Sequence, residues 1–139
     1  MDAMTRLLRS VPLFHGLSVR ELGEIRRAGE DVQFQQGATI VTEGLLAGDF
    51  YLVLEGRAEV LLRGRRRRVL EAGDYFGEMS VIDGGPRSAT VRALTRVTAL
   101  RLDRREFLRL LDREGSIGRK ILLVMSERLR AAERTPSRY

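Results

Sequence analysis

The sequence predicts an α+β fold: an antiparallel β-roll or jelly roll flanked by N-terminal and C-terminal helices. Three observations carry that expectation. Between residues 31 and 103, short strand-like runs alternate with Gly37, Gly44, Gly48, Gly56, Gly64 and Gly73, and short strands with glycine turns at such spacing characterise antiparallel sandwiches and barrels. At both ends of the chain the apolar residues recur instead at helical spacing. Two helix-start signatures, Ser18 with Glu21 and Asp103 with Glu106, stand on either side of the roll.

Helices are expected over residues 4–29. MTRLLRSVPLF sets Leu7, Leu8 and Val11 on one helical face and stops near Pro12. Ser18 and Glu21 form an S-x-x-E capping box, Leu17 can staple to Leu22, and Val19, Leu22 and Ile25 carry the apolar face to about Ala28. From Val32 the segments VQFQQG, ATIVTEG, FYLVLEG, RAEVLL and RRVLEAGD read as strands, with ATVRAL and RVTALRLD supplying two more. Helix returns over 104–133, with Leu102 and Phe107 as a second staple and Phe107, Leu108, Leu110 and Leu111 as the buried face. After Gly115, the residues Ile117, Ile121, Val124, Met125 and Leu129 keep helical spacing. The whole chain, 1–139, reads as one domain, long enough for a single core.

Composition removes several function classes. There are no cysteines, which excludes disulfides, zinc-thiolate sites and thiol catalysis. The one histidine, His15, cannot build a histidine metal site or a histidine-based triad, and is expected at the surface or in a cap. No apolar run approaches bilayer length and the first residues lack a signal-peptide core, so a cytoplasmic location is expected. The net charge is +6, and Lys120 is the sole lysine among 25 basic residues, a skew that reads as genomic base composition. The run Arg65–Arg66–Arg67–Arg68 follows Gly64 and reads as a solvated hairpin turn rather than a nucleic-acid patch.

The segment FGEMSVIDGGPRSATV, residues 76–91, sets one acid, Glu78, and one base, Arg87, at opposite ends of a small and apolar stretch. It is too short and too broken for an amphipathic core helix. An ion pair would account for the charges but not for Gly77, Gly84 and Gly85; a phosphate-bearing ligand with hydroxyls accounts for both. Taken with EGLLAGDFYLVLEG (43–56) and the AGDYFGE turn, this segment resembles the phosphate-binding cassette of cyclic nucleotide-binding domains. These domains occur in catabolite activator-type regulators, cyclic-nucleotide-dependent kinases and nucleotide-gated channels, those of bacteria included. The resemblance covers nearly the whole chain.

The resemblance implies Glu78 at the ribose 2′-hydroxyl, with Arg87, Ser88 and the amides near Met79 and Ser80 at the phosphate. The chemistry agrees: a guanidinium offers a forked, charge-assisted pair to a phosphate, and free amides at a helix start favour an anion. Glycine at 77 permits close backbone approach. Phe76 and Ala89 complete the cassette. For the base, Val60 stands as a pocket wall or as a core residue. Arg128 lies where one channel-type subgroup has a lid arginine stacking on the base, or is a solvated helix arginine. Serine at 88, where several cGMP-binding members carry threonine, implies cAMP in preference to cGMP.

The expected function is therefore a sensor without catalysis or cofactor, whose C-terminal helices move over the pocket when ligand binds. A metal-dependent enzyme on a similar β-roll would need several histidines. The alternative is an interaction module that keeps the fold, has lost its ligand and contacts nucleic acid through its arginines; intact Glu78 and Arg87 speak against it, and nucleic acid is not expected. No helix-turn-helix, kinase or membrane segment follows the cassette, so the effector is expected outside this chain. A homodimer through the C-terminal helix is a further expectation.

Overall fold

The computed structural model describes the backbone of residues 2–134, and within the last helix leaves the side chains at 128, 129 and 132–134 outside the description. Helix α1 (Ala3–Ser10) starts at Asp2, whose carboxylate accepts from the Thr5 N–H at 2.7 Å. It stops before Pro12, which opens a 3-10 turn through Phe14. Helix α2 (Val19–Ala28) carries the full reciprocal capping box: the Glu21 N–H donates to Ser18 Oγ at 3.1 Å and the Ser18 N–H to Glu21 Oε1 at 2.9 Å. Leu22 and Ile25 are buried as the spacing predicts, but Val19 is 52% exposed. It is the first residue of α2 and projects past the end of the core.

Eight strands follow: β1 (Glu30–Phe34), β2 (Thr39–Val41), β3 (Phe50–Glu55), β4 (Ala58–Leu62), β5 (Arg65–Leu70), β6 (Tyr75–Phe76), β7 (Thr90–Ala93) and β8 (Val97–Leu102). They pair antiparallel in two four-stranded sheets, in the orders β1-β8-β3-β6 and β2-β7-β4-β5. The first sheet is covered on both faces. Along β3, Phe50 and Leu52 pack against the helices with Phe14, Leu22 and Phe107. Tyr51 and Val53 point the other way, between the sheets, with Ala58, Leu70, Val91 and Ala93. Period-two alternation with two apolar sides is why FYLVL reads as a continuous apolar run.

The arginine run differs from its sequence reading. The turn is made by Arg63 and Gly64, both at positive φ, and Arg65–Arg68 are the first residues of edge strand β5. A register shift between Val60 and Leu61 accommodates one extra residue of the run. Glu59, only 4% exposed, accepts from Arg66 Nε at 3.1 Å and from Arg92 Nη2 at 2.7 Å. Charged side chains on an edge strand also blunt pairing with other chains.

Helix α4 (Arg104–Arg113) is capped by Asp103, which accepts from the Glu106 N–H at 2.8 Å. The cap is one-sided, because the Glu106 carboxylate turns to Arg109 at 3.0 Å. Helix α5 (Gly115–Arg134) buries Ile117 and Ile121 in the helix-side core; Leu129 falls among the side chains not described. Among the described residues no helix is long and apolar enough to cross a membrane.

A buried carboxylate joins α2 to α5. Glu21, 3% exposed, accepts from Lys120 Nζ at 2.8 Å and Ser116 Oγ at 2.5 Å in addition to its own cap. Arg20 grips Glu114 at the α4–α5 junction through two hydrogen bonds, 3.2 and 3.3 Å. Burial alone would raise the pKa of Glu21, but the bonds from Lys120, Ser116 and Ser18 outweigh it and hold it at about 2.

A depressed folded-state pKa means stability that is fully present above the ordinary value of 4.5 and lost as pH falls toward about 2. Relative to Glu21→Gln, the wild type is therefore expected to hold an advantage on the order of 2–3 kcal/mol at neutral pH that shrinks across that acid window. Urea unfolding of both proteins from pH 7 to pH 2.5 reads this; a gap independent of pH would contradict it.

Candidate functional site

The site is built where β6 runs into a short helix. Phe76 ends the strand, stacked on Tyr51 with ring centroids 5.1 Å apart. Gly77 follows at φ 91°, left-handed backbone. A Cβ here would lie 2.5 Å from the Asp49 carbonyl oxygen and 2.7 Å from Arg87 Nη1. Glycine is thus required twice, for its dihedral and for its lack of a side chain.

Helix α3 (Glu78–Asp83) begins at once and ends at Gly84, also left-handed, whose N–H donates to the Ser80 carbonyl at 2.9 Å. Val81 anchors α3 in the core, Ser80 is buried beneath it, and Met79 and Ile82 are exposed. The first helical bond runs from the Val81 N–H to the Gly77 carbonyl, which leaves the amides of Glu78, Met79 and Ser80 without intrahelical acceptors. The Glu78 side chain is half-buried and makes no hydrogen bond or ion pair with any described residue.

Arg87 is held from behind by its backbone. Its N–H donates to the Leu45 carbonyl at 3.0 Å and its carbonyl accepts from the Gly44 N–H at 2.9 Å, while Pro86 bridges Leu46. The β2–β3 loop therefore fixes the direction of the side chain. That side chain is 4% exposed, and among the described residues neither Nε nor Nη1 has a hydrogen-bond partner. Burial pushes the guanidinium below its ordinary pKa, opposed by nearby Tyr51 and Asp49. Asp49 is itself engaged with Arg101 at 3.4 Å. Arginine does not shed its proton in a protein, so a positive charge is largely buried with Nε and Nη1 unused among the described residues. Such an arrangement costs several kcal/mol and is relieved by an anion that accepts from the fork.

Phe76, Gly77, Glu78, Met79, Ser80, Arg87, Ser88, Ala89 and Val60 all line one cleft of about 160 Å³. Val60 lines the cleft and also packs on the inter-sheet core, so its two sequence readings hold together. Arg128 is in α5, but its side chain lies outside those described. Sequence reasoning missed Val41, Arg68, Leu70, Tyr75 and Val91, which complete the lining. Alternation within each strand could mark them as inward-facing, but only strand pairing brings them to one place.

Comparison with known proteins agrees with this fold. The family model described as the cyclic nucleotide-binding domain matches residues 31–114. The cAMP-dependent protein kinase regulatory subunit of Emericella nidulans is 38% identical over 115 residues, 81% of this chain and 28% of that protein. The N-terminal domain of a transcriptional regulator from Streptomyces coelicolor superimposes with a TM-score of 0.83 at 29% identity, over 91% of this chain and 92% of that one. The regulatory domain of Toxoplasma gondii PKA, crystallised with cAMP, does so with a TM-score of 0.74 at 33% identity, over 89% and 48%. The chain spans less than a third of the length of the first curated relatives it matches, from 12% to 30%.

Two outcomes are expected in the absence of ligand. Arg87→Met removes an uncompensated buried charge and should leave the protein as stable as wild type or about 1–2 kcal/mol more so. Clear destabilisation in urea unfolding would show that the guanidinium is satisfied within the fold. Gly77→Ala should cost about 2 kcal/mol or more, since strained backbone and close contact act together. A melting temperature equal to wild type would refute it.

Proposed function

Because the chain belongs to the cyclic nucleotide-binding domain family, we propose that it is a non-catalytic sensor of a cyclic nucleotide, cAMP in preference to cGMP, acting in the cytoplasm. The observation that carries this reading is the buried Arg87 guanidinium with unused donors, facing a cleft shared with the first turn of α3. The cyclic phosphate sits on Arg87, with the amides of Met79 and Ser80 and the Ser88 hydroxyl adding hydrogen bonds. Glu78, unpaired among the described residues, accepts from the ribose 2′-hydroxyl. Phe76, Gly77 and Ala89 shape the cassette around these groups. Val60 contacts the base, and Arg128 covers it from α5. Serine rather than threonine at 88 favours adenine, and the cAMP-dependent kinase relatives support the same preference.

Binding is coupled to movement of α4 and α5. Support comes from an open groove of about 560 Å³ between α3 and α5, where Met79, Ile82 and Leu122 are 57%, 44% and 64% exposed. A ligand that draws α5 over the cassette removes this apolar surface from water and shifts a two-state equilibrium. The effector lies outside residues 1–139, and a homodimer through α5, where Leu123 is also exposed, accompanies the reading.

Calorimetry with cAMP and cGMP tests it. Binding is expected at micromolar affinity or better, about −8 kcal/mol; no heat and no thermal shift at millimolar cAMP would overturn the function. Arg87→Ala is expected to weaken binding by about 2–5 kcal/mol, as for truncating one side of a buried charge pair. Glu78→Ala should cost about 1.5–3 kcal/mol and Arg128→Ala about 0.5–2 kcal/mol, mainly through faster release. Ser88→Thr should raise cGMP affinity relative to cAMP; an unchanged ratio would remove Ser88 from base selection.

A further inference from the structure

Four leucines at one end of the second sheet belong to neither core: Leu45, Leu46, Leu61 and Leu62. Leu61 and Leu62 close β4 and are only half-buried, while Leu45 and Leu46, in the β2–β3 loop, are 59% and 76% exposed. The turn at Arg63 and Gly64 follows directly on Leu62. Glu43 ties the two tips together: its N–H donates to Thr90 Oγ1 at 3.0 Å, and its carboxylate accepts from the Arg63 N–H at 2.9 Å. Thr90 in turn faces Leu61 across the β4–β7 ladder. Leu46 bridges Pro86, and the Leu45 carbonyl accepts from the Arg87 N–H. The exposed leucines are therefore presented on a hydrogen-bonded backbone.

Cations flank this apolar end. Arg63, Arg65 and Arg67 are exposed, and none donates a side-chain hydrogen bond among the described residues. Arg66, by contrast, is taken by Glu59, and the carboxylate of Glu43 is engaged by the turn itself. The chain as a whole carries a net charge of +6. The leucines line neither the cleft nor the groove between α3 and α5; they stand on protrusions. A folded partner would need a matching pocket for each tip. A lipid interface accepts apolar tips of any shape and favours cations that stay at its headgroups.

We propose that this end of the second sheet docks on an anionic lipid bilayer. Leu45 and Leu46 enter the boundary between headgroups and acyl chains, and Arg63, Arg65 and Arg67 meet the lipid phosphates and carboxylates. Leu61 and Leu62, just before the turn, extend the apolar contact. Binding strength at such a surface grows with buried apolar area and with attraction to anionic lipid, so neither signal suffices alone. The attachment is reversible, because no segment spans the bilayer. It stands independently of the cyclic-nucleotide reading, since no residue in it needs a bound nucleotide.

The experiment is co-sedimentation of the nucleotide-free chain with two kinds of vesicle: phosphatidylcholine alone, and phosphatidylcholine with phosphatidylserine at about two to one. Binding is expected to the mixed vesicles only, and should fall as salt rises. Leu45→Ser with Leu46→Ser is expected to lower partitioning at least about tenfold; Leu46→Ser alone serves if the double variant unfolds in urea more readily than wild type. Arg63→Gln and Arg65→Gln should each lower it about fivefold, the scale of one cation at an anionic surface. Arg27→Gln with Arg109→Gln removes charge from the helices instead and should change it by less than about twofold. No binding to the mixed vesicles would overturn the proposal. So would leucine variants that bind like wild type, or an equal loss in the helix variant, since either result reduces the contact to general charge. Self-association that needs the leucines, in place of vesicle binding, would assign this face to a second copy of the chain and overturn it as well.

Discussion

Among the described residues, two nitrogens of the buried Arg87 guanidinium have no acceptor, and much of the surrounding structure follows from holding it there. A cation out of water is tolerated only where the fold gives it no escape. The β2–β3 loop supplies that constraint by hydrogen bonding the backbone of Arg87 on both sides. Gly77 completes it by leaving the space that any other residue's Cβ would take from the guanidinium. The charge is thus positioned before any ligand arrives, so little ordering remains to be paid on binding.

The two sheets divide the labour. The first is sandwiched between the helices and the second sheet, so its central strands are apolar on both faces and serve stability. The second has one outer face, where Glu59 gathers Arg66 and Arg92, and an inner face that floors the cleft. An edge strand rich in arginine can therefore be a solubility device on one side and a wall of the cleft on the other. The register shift next to Val60 decides which arginine goes where.

The helices are held unevenly. Glu21 and Arg20 fasten the start of α5 and its junction with α4 to α2, through a buried carboxylate and a paired arginine. Past Ile121 the helix presents Leu122 and Leu123 to solvent, facing no comparable anchor among the described residues. A firmly seated beginning and a loosely covered continuation are compatible with the proposed movement of the far part of α5 over the cleft.

Local chemistry was legible in the sequence by itself. Glycine-punctuated strand runs named the fold class, the Ser18–Glu21 box and Asp103 located two helix starts, and the residues from Phe76 to Val91 marked the cassette. These signals are short-range: a cap reaches three residues, a turn needs one positive φ, and a strand repeats every two. What only tertiary structure decided is long-range. Val41, Val60, Arg68 and Val91 become neighbours through pairing between strands up to fifty positions apart in sequence. The arginine run read as a turn because nothing local distinguishes four exposed arginines after a glycine from the first residues of an edge strand. Glu21 read as a simple cap, and its bond to Lys120, ninety-nine residues away, depends on how α5 packs. Side-chain burial and strand register are properties of the assembled sheets and helices, so the charge state of Arg87's surroundings and the wall opposite it emerge only when the chain has folded.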